Sequence, residues 1–236
     1  MTGNIITIEG LDGAGKSTQI KLLSEHLEAQ NIKHQFIHFP MLNKGEYGNL
    51  IAEYLRGEYG SLEEVHPKLV ALLFAEDRKE HKATLENWLS NGYTIIMDRY
   101  VKSNIVFQCA KTKDPKKKEA LKQWILDFEF THNNLPKPHI SFFLNVPFSQ
   151  IEQTLKNNRV GADRDYLKGK IDIHEDSIKL QKNVLNEYLV LLKEQPNFFE
   201  INCSSREKNW LDPLSIHEAI KDKISLFDTP VYAELI

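Results

Sequence analysis

The chain has 236 residues, of which 41% are hydrophobic and 27% charged, a balance typical of a globular protein rather than a disordered one. Thirty lysines and arginines stand against 33 aspartates and glutamates. The resulting net charge of −3 offers no overall positive field to a nucleic-acid backbone or an anionic membrane, so neither partner is expected. The length suits a single domain spanning residues 1–236.

Cysteine content and the first residues bear on the compartment. Cys109 and Cys203 are too few for a disulfide scaffold or a zinc site, which favours packed thiols in a reducing compartment. The chain begins without the basic and apolar segments of a secretory leader, and no apolar run reaches the roughly 20 residues of a membrane span. These features predict a cytoplasmic protein.

Five short runs rich in β-branched and aromatic residues predict buried strands. They are residues 5–9, 35–39, 94–98, 140–146 and 198–202. Helical apolar stripes lie between them, namely Ile20, Leu23 and Leu27 in the first helix and Leu185, Leu189 and Leu192 in a later one. Strands that alternate with helices predict an α/β fold of three layers, with a five-stranded parallel sheet and helices on both faces.

Four longer segments have less distinct patterns. Residues 63–89 and 100–128 are long enough for substantial helices, although Pro115 must end or kink the second. The basic run at residues 111–118 has no interleaved aromatic residues, which favours a solvated loop over a nucleic-acid contact. The polar segment at approximately residues 150–170 contains two glycines, which favours a mobile lid over a packed helix.

The most informative motif lies between the first predicted strand and the first predicted helix. Residues 10–17, Gly-Leu-Asp-Gly-Ala-Gly-Lys-Ser, match the pattern G-x-x-x-x-G-K-[ST] in the required strand–loop–helix context. Glycines let the chain wrap around a phosphate with inward-facing N–H groups, and the helix N-terminus adds partial positive charge. Lys16 is placed to reach the β- and γ-phosphates and Ser17 to ligate Mg²⁺. The residues predicted to bind ATP are Gly10, Asp12, Gly13, Ala14, Gly15, Lys16, Ser17 and Thr18.

A phosphate-binding loop by itself leaves kinases, GTPases and motor ATPases open. The pair Asn43-Lys44 does not continue to an aspartate after a late strand, which disfavours a guanine-binding protein. The third predicted strand ends in Asp98-Arg99-Tyr100 rather than in an acidic pair, which disfavours a mechanical ATPase. A kinase is the favoured class.

A second phosphate-handling cluster follows the third predicted strand. Asp98 is expected at the carboxyl edge of the sheet, where it holds Mg²⁺ together with Ser17, while Arg99 binds phosphate oxygens with two donors. Transfer between two anionic nucleotides needs several fixed cations, and lid arginines can close over the transferred group and exclude water. The predicted catalytic residues are Lys16, Asp98, Arg99, Arg159 and Arg164.

Several short motifs, in order and at similar spacing, resemble the thymidylate kinase family over about residues 5–202. They are Glu-Gly-Leu-Asp at 9–12, Phe-Pro at 39–40, Leu-Leu-Phe-Ala-Glu-Asp-Arg at 72–78, Asp-Arg-Tyr at 98–100 followed by Ser103, and Leu-Pro-Lys-Pro at 135–138. The resemblance implies a P-loop NTPase fold and Mg²⁺-dependent transfer of the γ-phosphoryl group of ATP to dTMP, giving dTDP and ADP. It also implies a homodimer.

The same resemblance implies an acceptor site. Phe74 would stack on thymine, and Arg78, which by its charged surroundings alone resembles a solvated helix face, would hydrogen-bond a base carbonyl. Asp12 would meet the sugar 3′-hydroxyl, and Arg99 would bridge the two phosphates. Pro40 would follow a cis peptide bond. The residues that this assigns to dTMP are Asp12, Phe39, Phe74, Arg78, Arg99, Ser103, Asn104, Phe107, Gln108 and Tyr166.

Two departures from the family pattern keep alternatives open. Met41 and Leu42 follow the Phe-Pro pair where many relatives carry an arginine, and Lys44 is the nearest cation. Residue 13 is glycine, whereas one branch of the family has a catalytic arginine there and the other keeps arginines in the lid. Another pyrimidine nucleotide or deoxynucleoside kinase, and an inactive nucleotide-binding regulatory module, remain alternative interpretations.

Overall fold

The computed structural model describes residues 3–42, 44–156, 162–205 and 209–227, of which 156, 162–164 and 226–227 are described through their backbone only. A five-stranded parallel sheet with the strand order β2-β3-β1-β4-β5 forms the centre. The strands are β1 (Ile5–Glu9), β2 (His34–His38), β3 (Thr94–Asp98), β4 (Ile140–Asn145) and β5 (Phe198–Asn202). Three strands have the predicted bounds, and the other two differ by one residue at their ends.

Helices pack around this sheet, as the alternating pattern predicts. The α-helices are α1 (Lys16–Ala29), α2 (Gly45–Leu55), α3 (Pro67–Glu80), α4 (Lys82–Ser90), α5 (Val101–Cys109), α6 (Pro115–Leu126), α7 (Phe148–Lys156), α8 (Ile173–Asp176), α9 (Ile178–Leu191) and α10 (Pro213–Phe227). A π-helix at Asp127–His132 continues α6, and a 3₁₀-helix covers Ala162–Leu167. No helix in the described ranges is long and apolar enough to cross a bilayer.

The strand order determines where a ligand can bind. The central strand β1 pairs with β3 on one side, where Ile8 is opposite Asp98, and with β4 on the other. The loop after β1 and the residues after β3 therefore leave the same edge of the sheet as neighbours. In open parallel sheets, ligands bind in the crevice outside this carboxyl edge, at the point where the strand order reverses.

The buried face of α9 differs from the predicted stripe. Leu185, Leu189 and Leu192 are only partly buried against the core. The fully buried residues of this helix are Leu180, Gln181, Val184, Tyr188 and Leu191. Apolar periodicity misplaces the face because a glutamine and a tyrosine point inwards to polar partners, and periodicity alone cannot distinguish such residues from exposed ones.

The two long helical predictions are each divided. Residues 63–89 form α3 and α4, which meet at His81, where the imidazole Nδ1 lies 2.9 Å from the carbonyl oxygen of Asp77. Pro115 starts α6, because a proline needs no N–H partner in the first turn, and Asp114 caps that helix by accepting from the amide of Lys116. The end of the basic run is therefore a helical turn, not a loop.

The predicted lid is also more regular than expected. The helix α7 covers its first residues, and Ile151 on that helix is fully buried. In the 3₁₀-helix, Tyr166 and Leu167 pack against α2. Both segments belong to a core that buries apolar surface, which a count of polar residues does not reveal. Residues 157–161, including Arg159, and the side chain of Arg164 lie outside the described part of the chain.

Both cysteines are free and buried, as predicted. Burial raises the pKa of Cys109 and of Cys203 to about 12, because a thiolate would lose its hydration. They are packed thiols rather than reactive ones.

The observed face of α9 predicts different costs for two adjacent substitutions. Leu191→Ala should lower the free energy of unfolding by about 2–5 kcal/mol, since Leu191 is 2% exposed and its truncation leaves a cavity. Val190→Ala is the matched control, because Val190 is 51% exposed. This substitution should change the free energy of unfolding by no more than about 0.5 kcal/mol. Urea unfolding followed by circular dichroism measures both, and equal losses would contradict the observed face.

Candidate active site

A cleft of about 1120 Å³ lies at the carboxyl edge of the sheet, where the strand order reverses. Most of the predicted site residues line it. They are Asp12, Gly13, Ala14, Gly15, Lys16, Ser17, Thr18, Phe39, Phe74, Arg78, Asp98, Arg99, Ser103, Asn104, Phe107, Gln108 and Tyr166. The fold therefore brings segments that are far apart in the sequence to one surface.

The loop after β1 has the backbone that the motif predicts. Gly13 and Gly15 have φ of 79° and 81°, in the left-handed region that favours glycine. A Cβ at Gly13 would also lie 2.8 Å from Cγ2 of Thr154, so the loop packs closely against α7. The ammonium of Lys16 donates to the carbonyl oxygens of Leu11, at 3.0 Å, and of Gly10, at 3.5 Å.

Asp98 ends β3 and faces the same loop. Its Oδ2 lies 3.1 Å from Nδ1 of His38, and its buried Oδ1 has no hydrogen-bond partner among the described residues. Burial works against the charged form, but Lys16 and His38 outweigh it and hold the pKa of Asp98 below its ordinary value. The carboxylate therefore remains charged at neutral pH.

The charged Asp98 and the hydroxyl of Ser17, which is exposed in the cleft, fit a magnesium site. Magnesium prefers oxygen ligands and retains several waters, usually with one or two carboxylates and substrate phosphates. An unpartnered carboxylate oxygen can accept from such a water. Within the described residues no group of three or more His, Cys, Asp or Glu that could hold a metal is present.

Arg99 lies between the loop and the other half of the cleft. Its φ is 64°, unusual for a residue with a side chain, and its amide donates to the carbonyl oxygen of Ile8 at 3.1 Å. The guanidinium donates to Oδ1 of Asp12 at 2.7 Å and to Oγ of Ser103 at 3.1 Å, and lies 5.2 Å from the ring of Phe107. Burial opposes the charged form, but Asp12 outweighs it and raises the pKa of Arg99. This cation is held in place from both sides.

Glu9 forms hydrogen bonds to the residues around Arg99. In the sequence it is marked only by its place in the motif at residues 9–12. Its carboxylate is fully buried at the end of β1. Oε1 accepts from the amide of Tyr100 at 3.0 Å, and Oε2 accepts from the hydroxyls of Ser103 at 2.5 Å and Tyr188 at 3.0 Å. Burial raises the pKa of Glu9, with the Ser103 bond opposing the shift. Ser103, predicted to contact the base, takes part in this network.

A second buried cluster lies deeper in the cleft. Arg78 donates through Nε and Nη2 to the two carboxylate oxygens of Glu129, each at 2.6 Å. The side-chain nitrogen Nδ2 of Asn104 donates to the same carboxylate at 2.8 Å and to the backbone carbonyl oxygen of Ala71 at 3.0 Å. Oδ1 of Asn104 is buried without a partner in the described structure. Arg78 is therefore not on a solvated helix face, and Phe74 lies half-buried at the mouth of this pocket.

Tyr166, Asp172 and His174 line a further side of the cleft, and two of them were not predicted from the sequence. His174 stacks on Phe107 with ring centroids 5.2 Å apart, and Gln181 donates to Oδ2 of Asp12 at 2.9 Å. The hydroxyl of Tyr166 donates to Asp172 at 2.5 Å. Burial is the main cause that raises the pKa of Asp172 to about 7. His174, Gln181 and Asp172 lie in a stretch with no motif, so nothing in the sequence identified them.

Residues 113–117 of the basic run are exposed as predicted, but Lys111 is not a solvated loop residue. Its ammonium donates to the carbonyl oxygen of the Gln108 side chain at 2.9 Å and to the hydroxyl of Tyr54 at 2.8 Å. Burial lowers the pKa of Lys111 to about 7, against the opposing charge of Asp172. Gln108 is itself buried beside the cleft, so Lys111 supports the pocket from behind.

The segment after β2 has the predicted cis peptide bond between Phe39 and Pro40. The amide of Met41 donates to both carboxylate oxygens of Asp77, at 3.1 and 3.3 Å, and is therefore already engaged. Lys44 lines the cleft with an exposed side chain. Lys44 is thus the cation of this segment that borders the cleft in the described part of the chain.

Comparisons with known proteins agree with this geometry. Residues 8–212 match the family described as thymidylate kinase. Thymidylate kinase from Schizosaccharomyces pombe is 30% identical over 94% of this chain and 92% of that protein. The alignment with thymidylate kinase from Plasmodium falciparum is 34% identical but shorter, covering 61% of this chain and 62% of that protein.

A solved structure shares the fold. Thymidylate kinase from Candida albicans superposes with a TM-score of 0.70 and 25% sequence identity, covering 95% of this chain and 92% of that one. The family match spans the phosphate-binding loop, Arg99 and the Arg78 pocket, which are the parts that form the cleft. The chain belongs to the thymidylate kinase family of P-loop kinases.

Proposed function

We propose that this protein transfers the γ-phosphoryl group of ATP to dTMP, giving dTDP and ADP. One observation carries the proposal: a single cleft joins a phosphate-binding loop to a pocket with a buried arginine and a buried asparagine, and Arg99 lies between them. Two phosphorylated ligands bound at these two places would have their phosphates near Arg99. Family membership supports the choice of substrate.

The chemistry needs positioning and charge neutralisation rather than a strong base. Lys16 and Arg99 would stabilise the charge that develops on the transferred phosphoryl group. Magnesium, when bound, would neutralise charge on the β- and γ-phosphates, and Ser17 and Asp98 would hold it. Arg159 and Arg164 would add positive charge from the lid.

The resemblance to the family also supports a homodimer.

The deep pocket offers a hydrogen-bonding pattern that suits thymine. Glu129 accepts from Nε and from one N–H of Nη2 of Arg78. The second N–H of Nη2 and both N–H groups of Nη1 remain as donors that suit a base carbonyl. Oδ1 of Asn104 is an acceptor, which suits the N3–H of a thymine. Phe74 would stack on the ring, while Phe107 and His174 would bound the sugar.

A coupled assay of ADP release tests the proposal. With ATP and Mg²⁺, dTMP should give the highest kcat/KM among dTMP, dUMP, dCMP, UMP and thymidine, and EDTA should abolish turnover. A preference for another acceptor would instead support a different pyrimidine nucleotide or deoxynucleoside kinase. Tight dTMP binding without ADP formation would support a regulatory module.

Arg99 should contribute mainly to the transition state. Arg99→Ala should lower kcat at least about a hundredfold, because it removes a fixed cation from the transferring group. Arg99→Lys, which keeps the charge but not the two-pronged geometry, should retain part of the activity. Steady-state kinetics and circular dichroism measure both. Near-normal turnover of a folded Arg99→Ala protein would remove Arg99 from the mechanism.

Lys44 should hold the acceptor phosphate. In the described structure, Arg78 and Arg99 also line the acceptor half of the cleft, but Arg78 is already bound by Glu129. Lys44→Met should therefore raise the KM for dTMP about tenfold and leave the KM for ATP nearly unchanged. The matched control is Lys21→Met, because Lys21 is likewise exposed and borders the cleft, but lies on α1 with its ammonium 3.8 Å from the Glu25 carboxylate. Equal effects of both variants on dTMP would refute a specific contact.

A further inference from the structure

Glu129 is buried behind the base pocket and holds two of its residues at once. Its side chain is fully inaccessible to solvent, and it accepts from Arg78 and from Asn104. Two short bonds join the guanidinium of Arg78 to both carboxylate oxygens, which is the two-pronged geometry of a strong charge-assisted pair. Glu129 itself does not line the cleft.

The π-helix explains why Glu129 points inwards. The amide of Asn133 donates to the carbonyl oxygen of Phe128 at 2.8 Å, a spacing of five residues that widens the turn. Isolated π-turns within helices often mark functional sites, because they displace one side chain from the ordinary helical face. Here the displaced residue is a carboxylate between α3 and α5.

The orientation of the Asn104 amide follows from its neighbours. Both groups facing its nitrogen, the Glu129 carboxylate and the Ala71 carbonyl, are acceptors only. A reversed amide would place an oxygen against a carboxylate oxygen at 2.8 Å, and its NH₂ group would no longer donate to either acceptor. A buried unpaired polar group is unfavourable, so the nitrogen faces Glu129 and Oδ1 is presented as an acceptor.

We infer that Glu129 is a positioning residue that determines base specificity by fixing an acceptor at Asn104 beside a donor at Arg78. This inference rests on the proposed function, because it concerns the same pocket. A pyrimidine with N3–H and a 4-carbonyl complements the pair. Cytosine presents an acceptor at N3 and an amino donor at position 4, so it would place acceptor against acceptor and donor against donor. A freely rotating asparagine amide would remove the mismatch at N3 and leave only the one at Arg78, so it would discriminate less between the two bases.

The test is the ratio of kcat/KM for dTMP to that for dCMP. Glu129→Gln keeps the size of the side chain but offers an amide that can donate or accept, so only the Ala71 carbonyl still favours one orientation of Asn104 and the reversed amide becomes accessible. The ratio should fall about 10- to 100-fold, through a loss for dTMP and a gain for dCMP. Dissociation constants from calorimetry should show the same change.

Glu76→Gln is the matched control. Glu76 is on the neighbouring α3, and its carboxylate also accepts from an asparagine amide, that of Asn133 at 3.1 Å, but it does not line the cleft. Its substitution should leave the ratio unchanged. A folded Glu129→Gln protein that loses both substrates equally would show a merely structural role and overturn the inference, as would a native protein that does not distinguish dTMP from dCMP.

Two further measurements separate other outcomes. If the native protein binds dTMP without turning it over, the proposed function fails, but the dissociation constants still test Glu129. If Glu129→Gln does not fold, because Arg78 loses its partner, NMR of the native protein decides. The side-chain NH₂ protons of Asn104, assigned by their loss in Asn104→Ala, should exchange slowly with solvent with and without dTMP. Exchange as fast as that of an exposed asparagine would overturn the inference.

Discussion

A buried carboxylate at the end of the central strand joins the parts of this site. Glu9 accepts from the amide that follows Arg99, from a hydroxyl on α5 and from a hydroxyl on α9. A buried charge is costly unless it is fully hydrogen-bonded, and these donors satisfy it. The phosphate-binding loop starts at the next residue, Gly10, so one side chain sets the position of the loop relative to the unusual backbone of Arg99.

Three cations of the cleft, Lys16, Arg78 and Arg99, each have a carboxylate nearby. Arg99 is bound by Asp12, Arg78 is bound by Glu129, and Lys16 lies near enough to Asp98 to lower its pKa. Flexible side chains that are already ordered lose less entropy when they meet a phosphate or a base. This preorganisation is how a site can stabilise developing charge without reorganising during the reaction.

How far the sequence predicts the site depends on where the evidence for each residue lies. Lys16, Asp98 and Arg99 belong to compact motifs whose spacing follows from backbone geometry, and all three line the cleft as expected. Glu129 and Gln181 are isolated residues in stretches of ordinary composition, so no local pattern indicates that they bind the cleft residues Arg78 and Asp12. The buried face of α9 and the partly buried Lys111 were misjudged for the same reason, since Tyr188 and Lys111 have partners in other segments.

The sequence by itself determined the α/β class, the strands within a residue or so at each end, the phosphate-binding loop and the family. Those features depend on periodicity and on short-range backbone conformation, which neighbouring residues specify. Only the tertiary structure decided which carboxylate pairs with which arginine. Arg78 and Glu129 are 51 residues apart in the chain, and Asp12 and Arg99 are 87 apart. Such pairs form because the sheet order and helix packing bring them together, and no local rule relates their positions.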